Sequence, residues 1–351
     1  VGVQREIGET GPLLDGRGRL RESGFSWEPR LGYERSAVRA APWRLKEWDF
    51  YQILDRDICM QFTIGHASYM GQASFTLFEL SGGARNSLSI MRLLPFGSMG
   101  LPSSPDIGLS CESGPSRISF KVERGKRLLS CNMRDPRKGI EIEASVELEE
   151  EGRGGITIAT PFAESPRDFY YNTKLCGMRA QGYASIRGSG SRESERRYEL
   201  GEGASGLLDW GRGVWPYRHE WYWGSASGRA HLADAEAKDF GLNIGCGFGD
   251  TSQASENAFF YDGRACKLGE VRIERDGDDY LAPWRFSSDD GRLELTLSPR
   301  FDNHTSTKLL FVDNDCHQVF GRFDGRAILD DGRELLIEGL NGFCEHARNR
   351  W

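Results

Sequence analysis

Fifteen consecutive residues, Asp209-Trp-Gly-Arg-Gly-Val-Trp-Pro-Tyr-Arg-His-Glu-Trp-Tyr-Trp223, hold four of the chain's nine tryptophans and two of its tyrosines. Aromatic faces carry negative potential, so a cavity walled by such rings can hold an apolar or sugar-like ligand and steady a developing cation. Read structurally, the same segment is a plug in which Arg212 lies over Trp215 and closes a barrel mouth. Further on, Phe248-Gly-Asp-Thr-Ser-Gln-Ala-Ser-Glu-Asn257 carries Asp250. A carboxyl group facing an aromatic interior loses hydration, so its pKa rises and it stays protonated near neutral pH as a general acid. The competing reading is that Asp250 caps a turn through its own backbone. His219 and His317 are candidate proton shuttles, with a hydrogen-bonded structural role the alternative for His317. Trp210, Trp221, Tyr222, Trp223, Phe248 and Asn257 are expected to line the ligand space.

Other chemistries lack their signatures. Six histidines show no i, i+2 or i, i+4 pairing with one another, and eight cysteines lie 20 or more residues apart without a C-x-x-C pair. No metal site is therefore expected, and the cysteines read as buried thiols. There is no G-x-x-x-x-G-K-[ST], no G-x-G-x-x-G followed by a helix and no G-x-S-x-G elbow, so no nucleotide or other cofactor is implied. The net charge is −7 with basic residues scattered singly, which argues against nucleic acid as a partner. No apolar run approaches the roughly 20 residues that span a bilayer. The opening Val1 to Thr10 lacks a secretory pattern, so the cytoplasm is the expected location, although a start at Val leaves the true N-terminus open. Nothing fixes the oligomeric state.

The elements that must position these residues are strands. Glycine, at 44 of 351 residues, is well above the roughly 7% usual in proteins, and it punctuates short runs rich in Val, Ile, Phe and Thr. Asp262-Gly263, Asp290-Gly291 and Asp331-Gly332 mark tight hairpins, since Asp and Gly tolerate positive φ. The chain also reads as duplicated. Glu47-Trp48, Ile64-Gly65, Gln72-Ala-Ser74 and Phe78 recur in order as Glu220-Trp221, Ile244-Gly245, Gln253-Ala-Ser255 and Phe259. Gly206 to Trp215 aligns without gaps on Gly342 to Trp351, pairing Asp209, Arg212 and Trp215 with Glu345, Arg348 and Trp351 as a repeated structural closure. The expectation is an all-β chain of two tandem lipocalin-like (calycin) antiparallel β-barrels from an internal duplication. An extended leader over residues 1–42 precedes a first barrel at 43–215 and a second at 216–351. A pair of β-sandwiches fits the strand count nearly as well.

Ordered blocks along the chain carry a family resemblance. They include Gly11-Pro-Leu-Leu-Asp15, Trp43-Arg-Leu-Lys-Glu-Trp-Asp49, Phe169-Tyr-Tyr-Asn172, Leu208 to Tyr217, Trp221 to Gly228, Phe248-Gly-Asp-Thr-Ser252 and His317-Gln-Val-Phe-Gly-Arg-Phe323. Together they resemble the domain-of-unknown-function 2804 family. More distantly, the doubled-barrel plan is similar to the carotenoid 1,2-hydratase, tocopherol cyclase and calycin-like Diels–Alderase group, whose doubled lipocalin-type barrels act on apolar, often isoprenoid, substrates. The hydratase pattern His-x-Trp then Tyr-x-Asp is echoed by His219-Glu-Trp221 and Phe248-Gly-Asp250, with Phe248 lacking the tyrosine hydroxyl.

What these readings imply is an enzyme, with no cofactor, that hydrates, cyclises or isomerises an unsaturated hydrophobic small molecule, with Asp250 giving the proton. Two alternatives stand beside it. The same hollow could serve a non-catalytic lipid or isoprenoid carrier. Tryptophan platforms beside carboxylates also suit a carbohydrate-active enzyme.

Overall fold

The structure, a computed structural model, describes residues 3–151, 154–188, 195–233, 235–309 and 312–350. Among these residues the only helical turns are two 3-10 segments, Arg35–Ala37 and Pro42–Arg44; the rest of the regular structure is strand. No helix among the described residues is long and apolar enough to cross a membrane.

Three short strands, β1 (Gly11–Pro12), β2 (Gly24–Ser26) and β3 (Leu31–Gly32), lie in the leader. They are followed by β4 (Leu45–Leu54), β5 (Ile58–His66), β6 (Met70–Glu79), β7 (Arg85–Leu93), β8 (Leu109–Ser113), β9 (Ser116–Glu123), β10 (Lys126–Asp135) and β11 (Ile140–Glu149). Next come β12 (Gly154–Pro161), β13 (Phe169–Arg187), β14 (Glu195–Glu199) and β15 (Ser205–Val214). Their sheet runs β7-β6-β5-β4-β15-β13-β11-β10-β9-β8, and β7 returns against β8, which curls the sheet into a barrel.

The second sheet is built from β16 (Arg218–Leu232), β17 (Lys238–Cys246), β18 (Ala258–Tyr261), β19 (Arg264–Lys267), β20 (Val271–Arg275), β21 (Trp284–Ser288), β22 (Leu293–Leu309), β23 (Val312–Ile328) and β24 (Glu334–Arg350). Its order is β19-β18-β17-β16-β24-β23-β22-β21-β20, with β20 returning against β17. The two orders correspond over nine strands, β4 with β16, β15 with β24, β13 with β23 and β11 with β22 among them, and β8 at the end of the first order has no counterpart. The fold is two tandem lipocalin-like antiparallel barrels with one repeated topology, and the sandwich alternative falls away.

Register refines the repeat. Trp48 faces Gly65 across β4 and β5, whereas the residue facing Gly245 is Trp223, two positions beyond the Trp221 that sequence alignment pairs with Trp48. A methyl group on Gly65 would lie 2.7 Å from the Trp48 Cβ, which fixes glycine there. The three Asp-Gly signals each sit in a turn, with φ of +74° at Gly263, +71° at Gly291 and +84° at Gly332.

By contacts the chain divides into two compact units, each assembled from separate stretches: Ala40–Glu151 with Met178–Gly213, and Val1–Arg39 with Gly152–Gly177 and Val214–Trp351. Residues 1–39 and 152–177 thus go with the later unit rather than standing apart or joining the earlier one. The division falls inside β13 at Gly177, where φ is +73°. Before it, β13 pairs with β12 (Gly154 opposite Cys176); after it, with β11 (Glu149 opposite Arg179).

The core of the second barrel is apolar, with Trp284, Leu297, Val319, Phe323 and Ile244 fully buried among its strands. Each such side chain contributes roughly 1.5–3 kcal/mol. Tyr222 and Tyr280 pack onto the edge of this cluster.

Candidate active site

The mouth of the second barrel carries a row of rings set by strand register. His304 on β22 faces His317 on β23, His317 faces His346 on β24, and His346 faces Tyr222 on β16. Side chains alternate along a strand, so Val319 and Cys344, two residues deeper, share this face and belong to the core. Two residues outward, Asp315 faces Arg348 and Arg348 faces Glu220. Apolar depth therefore grades into a charged rim over two steps of the pleat.

Tyr280, in the connection between β20 and β21, closes over the row. Its hydroxyl and Nδ1 of His346 are 2.7 Å apart, and Nε2 of His346 is 2.7 Å from a Glu220 carboxylate oxygen. Arg348 donates its Nε–H to the same oxygen at 3.3 Å. The Tyr280 ring stacks on His317 at 3.5 Å, His317 stacks on His304 at 3.9 Å, and the Arg275 guanidinium lies over Tyr280 at 4.0 Å. Tyr222 stacks on His346 at 4.2 Å.

Protonation follows from these surroundings. The hydrogen bond from His346 holds Glu220 below the usual carboxylate range. Burial pushes His346 down, against the raising effect of Glu220, and burial pushes Tyr280 up, against Arg275 and Arg348. At neutral pH the group is a phenol, a neutral imidazole and a carboxylate. His346 then donates from Nε2 to Glu220 and accepts at Nδ1 from Tyr280. A cavity of about 600 Å³, with Glu220, Arg348 and Asp315 in its wall, opens at this rim.

The first barrel closes the corresponding place. Arg212 on β15 donates to Asp49 on β4 at 2.8 Å, as Arg348 on β24 does to Glu220 on β16, but both partners are buried. Arg212 also donates to the carbonyls of Trp48 and Pro102. Arg127, fully buried on β10, reaches Tyr51 on β4, a strand that is not its sheet neighbour, and also binds the Pro105 carbonyl, Asp106 and Glu150. The segment from Pro102 to Asp106 is thereby tied into that lumen. Burial raises the Asp49 carboxyl, with Arg212 opposing.

Residues 4–351 match the family described as a domain of unknown function, DUF2804. The chain belongs to that family. No curated protein sequence matches this DUF2804 chain. Among solved structures, the crystal structure of CghA with Sch210972 is similar over 96% of this chain and 97% of the other, at 12% identity and a TM-score of 0.52. Kievitone hydratase from Nectria haematococca is similar over 100% of this chain and 98% of the other, at 11% identity and a TM-score of 0.47. The CghA likeness is one of fold.

Within this DUF2804 chain the aromatic segment does not form one wall. Trp210 is buried in the first barrel's unit, and Arg212 lies over it at 4.1 Å. Asp209 is buried on the same strand. Of the segment's aromatic residues on β16, Tyr222 faces the second barrel's mouth, on the same side as Glu220. His219, Trp221 and Trp223 are one residue out of phase with it and face the other way. Phe248 is the hub there, with Phe162, Tyr170, Trp215, His219 and Trp221 all 4.9–5.6 Å from its ring. Trp223 lies under the Lys174 ammonium at 3.6 Å and donates to Asn243.

Asp250 departs from the expected general acid. It is exposed, and its carboxylate accepts from the Ser252 amide at 3.1 Å and hydroxyl at 2.7 Å, the turn-capping arrangement. An exposed carboxylate held in a turn by Ser252 has no aromatic interior to face. Asn257 is buried as a strap, accepting from the Gly245 amide and donating to the Gly269 carbonyl. Glu345 accepts from the Trp221 indole on the face away from the barrel core, and Arg348 is exposed on Glu220, so neither reproduces the buried Arg212 closure. Trp351 lies outside the described residues. His317 is in the mouth. Tyr280, His346, Glu220, His304 and Asp302 were not singled out by sequence.

Proposed function

We propose that this chain is an enzyme that moves protons on an unsaturated small molecule at the mouth of its second barrel, adding or removing water or shifting a double bond. The observation that carries the reading is the unbroken chain from Tyr280 through His346 to Glu220. The Tyr280 oxygen takes a proton from the substrate as its own passes to Nδ1 of His346, and Glu220 steadies the imidazolium that forms. The proton then returns to a leaving hydroxyl, which completes dehydration, or to another carbon, which completes isomerisation. Hydration is the reverse. The partly exposed Tyr222 and Tyr280 rings offer an apolar surface to the substrate body, and the charged rim that lines the cavity holds a polar end.

The test is deuterium uptake. Purified protein is incubated with a metabolite extract in heavy water, and products are read by mass spectrometry. Wild-type protein should label a defined compound, and Tyr280→Phe should label it at least 100-fold more slowly. Equal labelling by Tyr280→Phe would remove the relay from the reaction.

A further inference from the structure

We propose that His304, Asp315 and His317 hold a divalent transition-metal cation of the zinc class on the wall of the second barrel's mouth. The inference is independent of the proton relay. His304 and His317 face each other across β22 and β23, and Asp315 precedes His317 by two residues on the same face. One donor atom from each of the three lies within 4.8 Å of the others. Two imidazoles and one carboxylate suit zinc, cobalt or iron(II) over magnesium or calcium, which prefer all-oxygen sets.

Two features prepare the group for a cation. Asp302 sits 2.7 Å from Nδ1 of His317, so Nδ1–H donates to a carboxylate and the ring keeps its Nε2 lone pair. This is the outer-shell partner that orients metal-ligating histidines. Nε2 of His304 and the Asp315 carboxylate are 2.7 Å apart, a contact bridged by a proton that a cation would displace into solvent. The rings now stack at 3.9 Å. With metal–nitrogen bonds of about 2.0–2.1 Å in a tetrahedral array, their centres must open to about 5 Å. His304 is the partner that can move, its side chain being 45% exposed, while His317 is held by Asp302 and by the Tyr280 ring. Three protein ligands leave a fourth coordination position open, and Asp315 also lines the cavity at the rim.

The experiment titrates the full chain, first stripped with chelator, with zinc chloride and with cobalt chloride. Calorimetry should show one equivalent bound with proton release. The cobalt complex should show a tetrahedral visible spectrum without thiolate charge-transfer absorption. His304→Gln and Asp315→Asn should each abolish that equivalent, and Asp302→Asn should weaken it 10- to 100-fold. Circular dichroism of each variant would verify that it is folded, which exposed His304 favours. No stoichiometric binding by wild-type protein, thiolate absorption, or an equivalent retained in His304→Gln would each overturn the proposal.

Discussion

The Tyr280 hydroxyl meets Nδ1 of His346 at 2.7 Å, although 66 residues separate them in the chain. One comes from a loop between strands and the other from the last strand of the barrel. Their meeting, with Glu220 on the far nitrogen, converts a weakly acidic phenol into a group that can pass a proton on.

His346→Gln should therefore slow the reaction by about 10²–10⁴-fold, since an amide cannot take the phenol proton. Arg348→Met should slow it less, because Arg348 donates to Glu220 from the rim and carries no proton of the relay. Single-turnover rates of the two variants provide the check.

Asp250→Asn should leave turnover unchanged and cost about 1 kcal/mol or less of stability, the scale of a weakened turn cap. Steady-state kinetics with a urea melt would decide. A collapse of turnover would restore Asp250 as the acid.

Arg212→Met should destabilise the first barrel by about 3–5 kcal/mol, because Asp49 would be left buried without its partner. Arg212→Met combined with Asp49→Leu should recover a large part of that loss. Denaturant midpoints of the two single variants and the double variant measure the coupling.

Gly211→Ala tests close packing. A methyl group there would lie 2.3 Å from the Trp48 ring, so about 1–3 kcal/mol should be lost as the indole is displaced. A thermal melt reads the loss directly.

Asp290 supplies a pH prediction. Burial raises its carboxyl, but hydrogen bonds from Ser288 and from the Arg292 and Gly269 amides outweigh burial and hold it below the ordinary value of 3.8. Its folded pKa lies under the unfolded one, so its contribution is present above the unfolded value and is lost as pH falls through the folded one. Asp290→Asn should reduce stability at pH 6 and make the acid side of the stability profile shallower, as chemical melts across pH 2–6 would show.

The architecture was legible because turns and repeats are local. Asp-Gly pairs announce hairpins with their own backbone needs, and the recurring Gly and Arg spacing betrays a copied topology. The site was obscured because its density of aromatic residues pointed elsewhere. Trp221 and Trp223 alternate with Tyr222, and alternation sends neighbours to opposite faces. A quieter signal was present: Glu220 and Tyr222, Asp302 and His304, Asp315 and His317, and His346 and Arg348 are each two residues apart. Period-two pairs of polar and ring residues on four strands mark one face, but only sheet order shows that those strands are neighbours. Tyr280 had no such mark, since a loop residue carries no phase.

The division at Gly177 bears on how this protein could be dissected. Because each unit is stitched from non-contiguous stretches, no single scission releases either one whole. A fragment beginning at Val214 would lack 154–177 and the leader, and one ending at Gly213 would carry those stretches without the strands they pack on. Complementation by co-expressed halves, rather than truncation, is the route by which either gene segment would yield a soluble product.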